Sequence, residues 1–170
     1  MSQKSQDYVL SDTQPVRDDP GLPRITPAVR EILSDTIAFR RDIHQHPELS
    51  FREFRTTDQI IATLQRFGLK PQRLESTGAY VDIGTGPIVL GIRADIDALP
   101  VTEATGLPYA SVHDGIAHAC GHDIHTAVSL GTAITLHRLW ANTAAVNVEH
   151  LNFSGRIRVI FQPAEEKIPG

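Results

Sequence analysis

Apolar residues recur at helical spacing in two segments near the start of the chain. The first begins at Thr26-Pro27, where an N-cap residue precedes a proline suited to the first helical position, and it continues to Pro47. The second follows Ser50, and Glu53, three residues later, has the spacing of a capping box. Gly68 suits the end of this segment. The pattern therefore predicts two consecutive helices.

The hydrophobic period then changes to that of strands. Residues 80–83 predict a short strand, and the almost continuous apolar run 87–96 is typical of a strand buried on both faces. A mostly buried helix is predicted from His122 to Trp140, followed by a last strand over 157–161. The apolar positions of that helix are Ile124, Val128, Leu130, Ile134 and Leu136. This order of elements predicts an α/β sandwich with a largely parallel sheet.

Residues 1–26 differ in composition from the rest of the chain. Four of the 11 prolines fall in the first 27 residues, among Ser, Asp and Gln. Such a stretch cannot bury a core. We expect a flexible leader over 1–26 and a folded domain over 27–170.

The overall composition excludes several classes of protein. A net charge of -4, from 16 Lys+Arg and 20 Asp+Glu, argues against a general nucleic-acid-binding surface. No apolar run is long enough for a signal peptide or a membrane span, so no membrane association is expected. The single cysteine, Cys120, excludes an intramolecular disulfide and fits a reducing compartment. The predicted location is the cytoplasm.

Acidic residues follow two of the predicted strands. Asp95 and Asp97 lie at the end of the first, where open α/β sheets place their ligands, although they could equally cap a turn. Glu165 and Glu166 come directly after the last strand. Adjacent carboxylates suit metal-dependent hydrolysis, in which one carboxylate binds the metal and the other is the general base. The alternative for this second pair is an ordinary solvated loop.

Four of the eight histidines, at positions 113, 118, 122 and 125, lie close to Cys120. Cys120 and His122 offer a thiolate and an imidazole, the ligands that zinc prefers, and Gly121 allows a sharp turn between them. A small buried cysteine and hydrogen-bonded core histidines are the alternative. The clustering favours a metal site.

Four segments occur together: Arg40–Glu48, Gly91–Pro100, His118–Asp123 and Phe161–Glu166. Their combination resembles the metal-dependent amidohydrolase branch of the aminoacylase/exopeptidase family, which includes hippurate hydrolases and indole-acetyl-amino-acid hydrolases. The resemblance covers about residues 30–170. It implies a three-layer α/β sandwich like the catalytic domain of zinc exopeptidases.

The resemblance also implies roles for individual residues. Two divalent ions of the Zn, Mn, Co or Ni type would bind at the sheet edge, with Cys120, His122 and Glu166 as ligands. Glu165 would be the general base, and Asp97 would orient a histidine ligand. For residues 44–48, helix capping and packing are the favoured interpretation. The same interpretation is favoured for His125, which could lie near the metals but is not expected to be a ligand.

The implied activity is hydrolysis of the amide bond of N-acyl amino acids by a metal-activated water. Relatives of this kind are more than twice as long, so we expect only the N-terminal part of the catalytic domain here, with little activity alone. The missing lid domain would carry any homo-oligomer contacts. Two alternatives stay open: a non-catalytic truncated remnant with weak metal or partner binding, and a metallo-exopeptidase that acts on dipeptides.

Overall fold

The computed structural model describes residues 25–141 and 155–167. The predicted leader, apart from its last two residues, and the connection over 142–154 lie outside the described residues. The three helices and four strands are α1 (Ile25–Gln45), α2 (Phe54–Arg66), β1 (Gln72–Arg73), β2 (Ala79–Gly84), β3 (Ile88–Asp95), α3 (His122–Ala141) and β4 (Arg156–Gln162). Each helix and strand predicted above is present. None of the described helices is long and apolar enough to cross a membrane.

The N-terminus of α2 is capped by the carboxylate of Glu48. Its two oxygens accept hydrogen bonds from the backbone N–H groups of Arg55 and Thr56, at 3.0 and 2.7 Å. A carboxylate at the N-terminus of a helix accepts hydrogen bonds from otherwise unpaired N–H groups, and its negative charge is attracted by the positive end of the helix dipole. Helix capping, the role favoured for this segment, is therefore confirmed for Glu48.

The capping box predicted for Ser50 and Glu53 is wrong, because both side chains bind residues far away in the sequence. The Ser50 hydroxyl donates to Oδ2 of Asp97 at 2.7 Å. The fully buried Glu53 carboxylate accepts from the Thr77 hydroxyl at 2.8 Å and from the backbone N–H of Ala164 at 2.7 Å. Both residues join α2 to the ends of the strands.

The strands form one sheet in the order β1-β2-β4-β3. β3 and β4 are parallel, whereas β2 is antiparallel to both β1 and β4. The α/β class is as predicted, and the sheet is mixed rather than largely parallel over the described strands. The register pairs Asp95 with Gln162, so the carboxyl ends of β3 and β4 lie side by side.

The apolar core joins all three helices to one face of the sheet. Val81 and Val159 of the neighbouring strands β2 and β4 belong to this core together with Leu130 of α3. The opposite face carries partly exposed polar side chains such as Asp82, which is paired with Arg158 at 2.7 Å. The described residues thus show two of the three layers expected for the sandwich.

The burial predicted for β3 is wrong over its first residues, and the burial predicted for α3 is confirmed for Leu130 and Ile134 but wrong for two other positions. The first residues of β3, Ile88, Val89 and Leu90, are 43–51% exposed, because β3 pairs only with β4 among the described strands and lies at the sheet edge. In α3, Ile124 and Val128 are 50% and 60% exposed. They lie four residues apart and share a face of the helix turned away from the core.

Candidate metal centre

The candidate site lies where β3 and β4 end and α3 begins. Asp97 follows β3 by two residues, Glu165 and Glu166 follow β4, and His122 is the first residue of α3. One ligand atom each from Cys120, His122 and Glu166 lies within 4.8 Å of the others. Two chain segments that are distant in sequence, the turn before α3 and the loop after β4, therefore place a thiol, an imidazole and a carboxylate together.

The orientation of the His122 ring is set by Asp97. Nδ1 of His122 lies 3.1 Å from Oδ1 of Asp97 and 3.1 Å from the Asp97 carbonyl oxygen. Both partners accept hydrogen bonds, so Nδ1 carries the hydrogen, and Nε2 of the neutral ring has a free lone pair. Nε2 lies 3.8 Å from both Oε2 of Glu165 and Oε1 of Glu166.

Asp97 is fully buried and keeps its charge through hydrogen bonds. Burial opposes ionisation, but the Ser50 hydroxyl at 2.7 Å and the backbone N–H of Glu166 at 3.0 Å donate to the carboxylate and lower its pKa. The ionised carboxylate is the form that accepts a hydrogen bond from His122. One side chain therefore fixes both the histidine ring and the backbone of the loop that carries Glu165 and Glu166, which we call the glutamate loop.

A second buried carboxylate holds the start of that loop. Ala164 has a φ of 57°, in the left-handed region, and its N–H donates to Glu53. With Glu166 N–H bound to Asp97, the backbone is anchored on both sides of Glu165. The Glu165 and Glu166 side chains are 39% and 29% exposed, so solvent and solutes can reach them.

The turn before α3 brings Cys120 towards the same point. Gly121 has a φ of 88°, which confirms the sharp turn predicted for it. Burial raises the pKa of the half-buried Cys120 thiol, and the charges of Glu166 and Asp97 raise it further. A divalent cation would reverse both effects, since it replaces lost hydration and attracts the thiolate.

These residues fit a divalent metal ion. A separation of 3.8 Å between His122 Nε2 and Glu166 Oε1 is less than twice the bond length of about 2.1 Å from zinc to nitrogen or oxygen, so one ion can bind both. Sulfur, nitrogen and oxygen donors together favour Zn, Mn, Co or Ni over Mg or Ca.

Asp95, predicted with Asp97 to lie at a ligand-binding end of the sheet but not named as a metal ligand, belongs to a second possible ligand group with His122 and His125. Oδ2 of Asp95 lies 4.0 Å from Nε2 of His122 and 3.8 Å from Nδ1 of His125. Its other oxygen is paired with Arg93 at 2.5 Å. His125 therefore lies beside the centre, and 56% of its side chain is exposed. Both groups need the same nitrogen of His122.

Comparison with known proteins points to one family. Residues 91–170 match the model of peptidase family M20/M25/M40. The matched part includes most of the strand β3, the Cys120–His122 turn and the glutamate loop. Over these residues the chain is similar to this family. The fold and the resemblance inferred above from four segments agree with this match.

Two named relatives are hydrolases of N-acyl amino acids by their names. The N-acetyl-L-cysteine deacetylase of Bacillus subtilis is 50% identical over 135 residues, which are 76% of this chain and 30% of the relative. The N-acyl-L-amino acid amidohydrolase of Geobacillus stearothermophilus is 44% identical over 145 residues, covering 84% of this chain and 36% of the relative. The chain thus spans about a third of the length of the curated relatives it matches.

A solved structure supports the same assignment. The YXEP protein of Bacillus subtilis, described as a dinuclear metal binding peptidase from the M20 family, is 43% identical with a TM-score of 0.70. The match covers 81% of this chain and 36% of the YXEP chain. The α/β fold of the described residues is therefore that of M20 catalytic domains.

Proposed function

We propose that this chain provides metal ligands and the general base of an M20 amidohydrolase that cleaves the amide bond of N-acyl amino acids. The observation that carries the proposal is the convergence of Cys120, His122 and Glu166 ligand atoms within 4.8 Å, with His122 held by Asp97. The names of two relatives, a deacetylase of N-acetyl-L-cysteine and an N-acyl-L-amino acid amidohydrolase, support the substrate class.

Cys120, His122 and Glu166 would hold the divalent ion. When bound, such an ion acts as a Lewis acid on the amide carbonyl and makes water more acidic. Asp97 keeps Nδ1 of His122 protonated and so keeps Nε2 available as a ligand. A reducing location such as the cytoplasm would keep the Cys120 thiol able to bind metal.

Glu165 is the proposed general base. Its Oε2 lies beside the ligand nitrogen of His122, yet its side chain is 39% exposed and can contact water. The carboxylate accepts a proton from the attacking water and later gives it to the nitrogen of the leaving amino acid. The hydrogen bonds from the N–H of Ala164 to Glu53 and from the N–H of Glu166 to Asp97 fix the backbone on both sides of Glu165.

The test compares the native 170-residue chain with Glu165→Gln after removal of metal and reloading with Zn²⁺, Co²⁺ or Mn²⁺. We expect the native chain to bind the ion and release cysteine from N-acetyl-L-cysteine above the metal-free background. Glu165→Gln should bind the ion but lose at least about 100-fold in turnover, since proton transfer contributes 10²–10⁴-fold.

The Bacillus subtilis deacetylase is the positive control, and Glu75→Gln, at an exposed position, is the control variant. A native chain that binds no divalent ion contradicts the proposal. So does turnover that Glu165→Gln leaves unchanged. Metal binding without any hydrolysis of N-acyl amino acids contradicts the catalytic part and favours a non-catalytic metal-binding domain.

A further inference from the structure

A buried polar network joins the end of α1 to the beginning of α3. Its centre is Asp123, which follows His122 directly and is fully buried. Oδ2 of Asp123 lies 2.7 Å from Nδ1 of His44 and 2.6 Å from Nε of Arg40. The two α1 side chains thus hold the first turn of α3 through one carboxylate oxygen.

The other side of the His44 ring faces a second carboxylate. Nε2 of His44 lies 3.2 Å from Oε1 of Glu103. Burial opposes ionisation of Glu103, but hydrogen bonds from the Thr105 hydroxyl, the Ser111 backbone N–H and His44 outweigh it and lower the pKa of this carboxyl. Carboxylates only accept hydrogen bonds, so each nitrogen of the His44 ring faces an acceptor.

Joining two helices through such a network costs free energy of desolvation. Buried charged groups lose their hydration, and apolar side chains of similar size often stabilise a fold as well or better. What the charged groups add is direction, because hydrogen bonds fix geometry more narrowly than apolar packing does. The residue held in this way, Asp123, lies next to His122 and three positions from Cys120.

We propose that His44 and Arg40 are positioning residues, which act through Asp123 to fix the first turn of α3. This turn sets the directions of His122 Nε2 and Cys120 Sγ, so the network prepares the metal centre without touching it. Asp97 holds the His122 ring from the sheet side, while Asp123 holds the backbone of the same turn from the α1 side. The inference rests on the proposed metal-binding function.

Two substitutions of His44 separate positioning from general stability. In His44→Asn the side-chain amide nitrogen occupies the place of Nδ1 and can still donate to Asp123. In His44→Gln it reaches the place of Nε2 and can donate only to Glu103. Each variant loses one contact of the network, so urea denaturation of the metal-free proteins serves as the matched control for stability.

We expect His44→Gln to lower zinc affinity at least about 10-fold, as loss of an outer partner of a metal ligand does, and His44→Asn to stay within about twofold of the native chain. Affinity is measured by competition with a chromophoric chelator. The absorption of the Co²⁺ complex should shift in His44→Gln only. Equal zinc affinities in the two variants overturn the inference.

Amide hydrogen exchange of residues 119–124 in the metal-free chain gives a readout independent of metal. Faster exchange in His44→Gln than in His44→Asn supports positioning, and equal exchange in both overturns it. If the native chain binds no zinc, the proposed function fails, and the exchange comparison alone decides whether His44 positions this turn.

Discussion

Nδ1 of His122 lies 3.1 Å from Oδ1 of Asp97, and this contact leaves Nε2 as the nitrogen that faces the glutamates. The same Asp97 carboxylate accepts hydrogen bonds from Ser50 and from the backbone of Glu166. One buried side chain therefore forms hydrogen bonds with the histidine, with the loop that contains Ser50 and with the loop after β4.

Asp97→Asn should weaken zinc binding by about 10- to 100-fold. The substitution removes the negative charge that holds the His122 ring, and the new amide group can turn a hydrogen-bond donor towards Nδ1 of that ring. Zinc affinity measured by chelator competition at constant pH checks this. Asp114→Asn, at an exposed aspartate, is the matched control and should leave affinity unchanged. Equal affinities in the two variants would show that Asp97 does not act on the metal centre.

Cys120→Ser should remove the sulfur ligand while leaving the shape of the turn nearly intact. Bound Co²⁺ gives an intense near-ultraviolet charge-transfer band only when a thiolate coordinates it. We expect this band in the native chain and its loss in Cys120→Ser, with weaker binding of zinc. Retention of the band in Cys120→Ser would exclude this thiol, which is the single cysteine of the chain, as its source.

The local pattern of the sequence was sufficient for most helices and strands but not for burial. The bounds of α3 and β4 follow from periodicity within each segment. The exposure of Ile88 depends instead on which strands flank β3, and that is a property of the sheet order. The exposed face of α3 at Val128 likewise depends on how many neighbours cover the helix.

The residues of the candidate site also differ in whether their sequence spacing could predict their roles. Cys120 and His122 are neighbours in sequence, so a metal motif could be recognised directly, whereas the role expected for Asp97 came from family resemblance. The contact between His44 and Asp123 joins residues 79 positions apart, and no local spacing predicts it. Ser50 was mistaken for a helix cap because its partner, Asp97, is 47 residues away.

Asp82 provides a pH-dependent contribution to stability. The hydrogen bond from Arg158 lowers the pKa of its carboxyl below the ordinary value of 3.8, against the opposing effect of burial. A lowered pKa in the folded state stabilises the fold above pH 3.8, and the contribution is lost as the pH falls through the folded-state value.

Asp82→Asn should therefore lower the urea midpoint slightly at pH 7, since the pair is partly exposed to solvent. At an acidic pH below the lowered folded-state pKa of Asp82, the two midpoints should converge. Asp58→Asn, which removes an exposed partner of Arg73, controls for the general effect of deleting a surface charge. A difference of the same size at both pH values would assign the effect to something other than ionisation of Asp82.

Glu53→Gln tests how the glutamate loop is held. Both carboxylate oxygens of this fully buried side chain accept hydrogen bonds, from Thr77 and from the N–H of Ala164, whereas an amide offers one oxygen and one donor group. One partner is left unsatisfied, so we expect the free energy of unfolding to fall by about 1–3 kcal/mol.

Urea denaturation of the metal-free chain measures this loss, with Glu75→Gln as the exposed control that should change stability little. Because Ala164 precedes Glu165 and Glu166, Glu53→Gln should also increase amide hydrogen exchange over residues 163–167. Loss of stability with unchanged exchange there would mean that Glu53 supports α2 alone. Increased exchange would show that Glu53 anchors the start of the glutamate loop, although it lies 111 residues before the N–H that it binds.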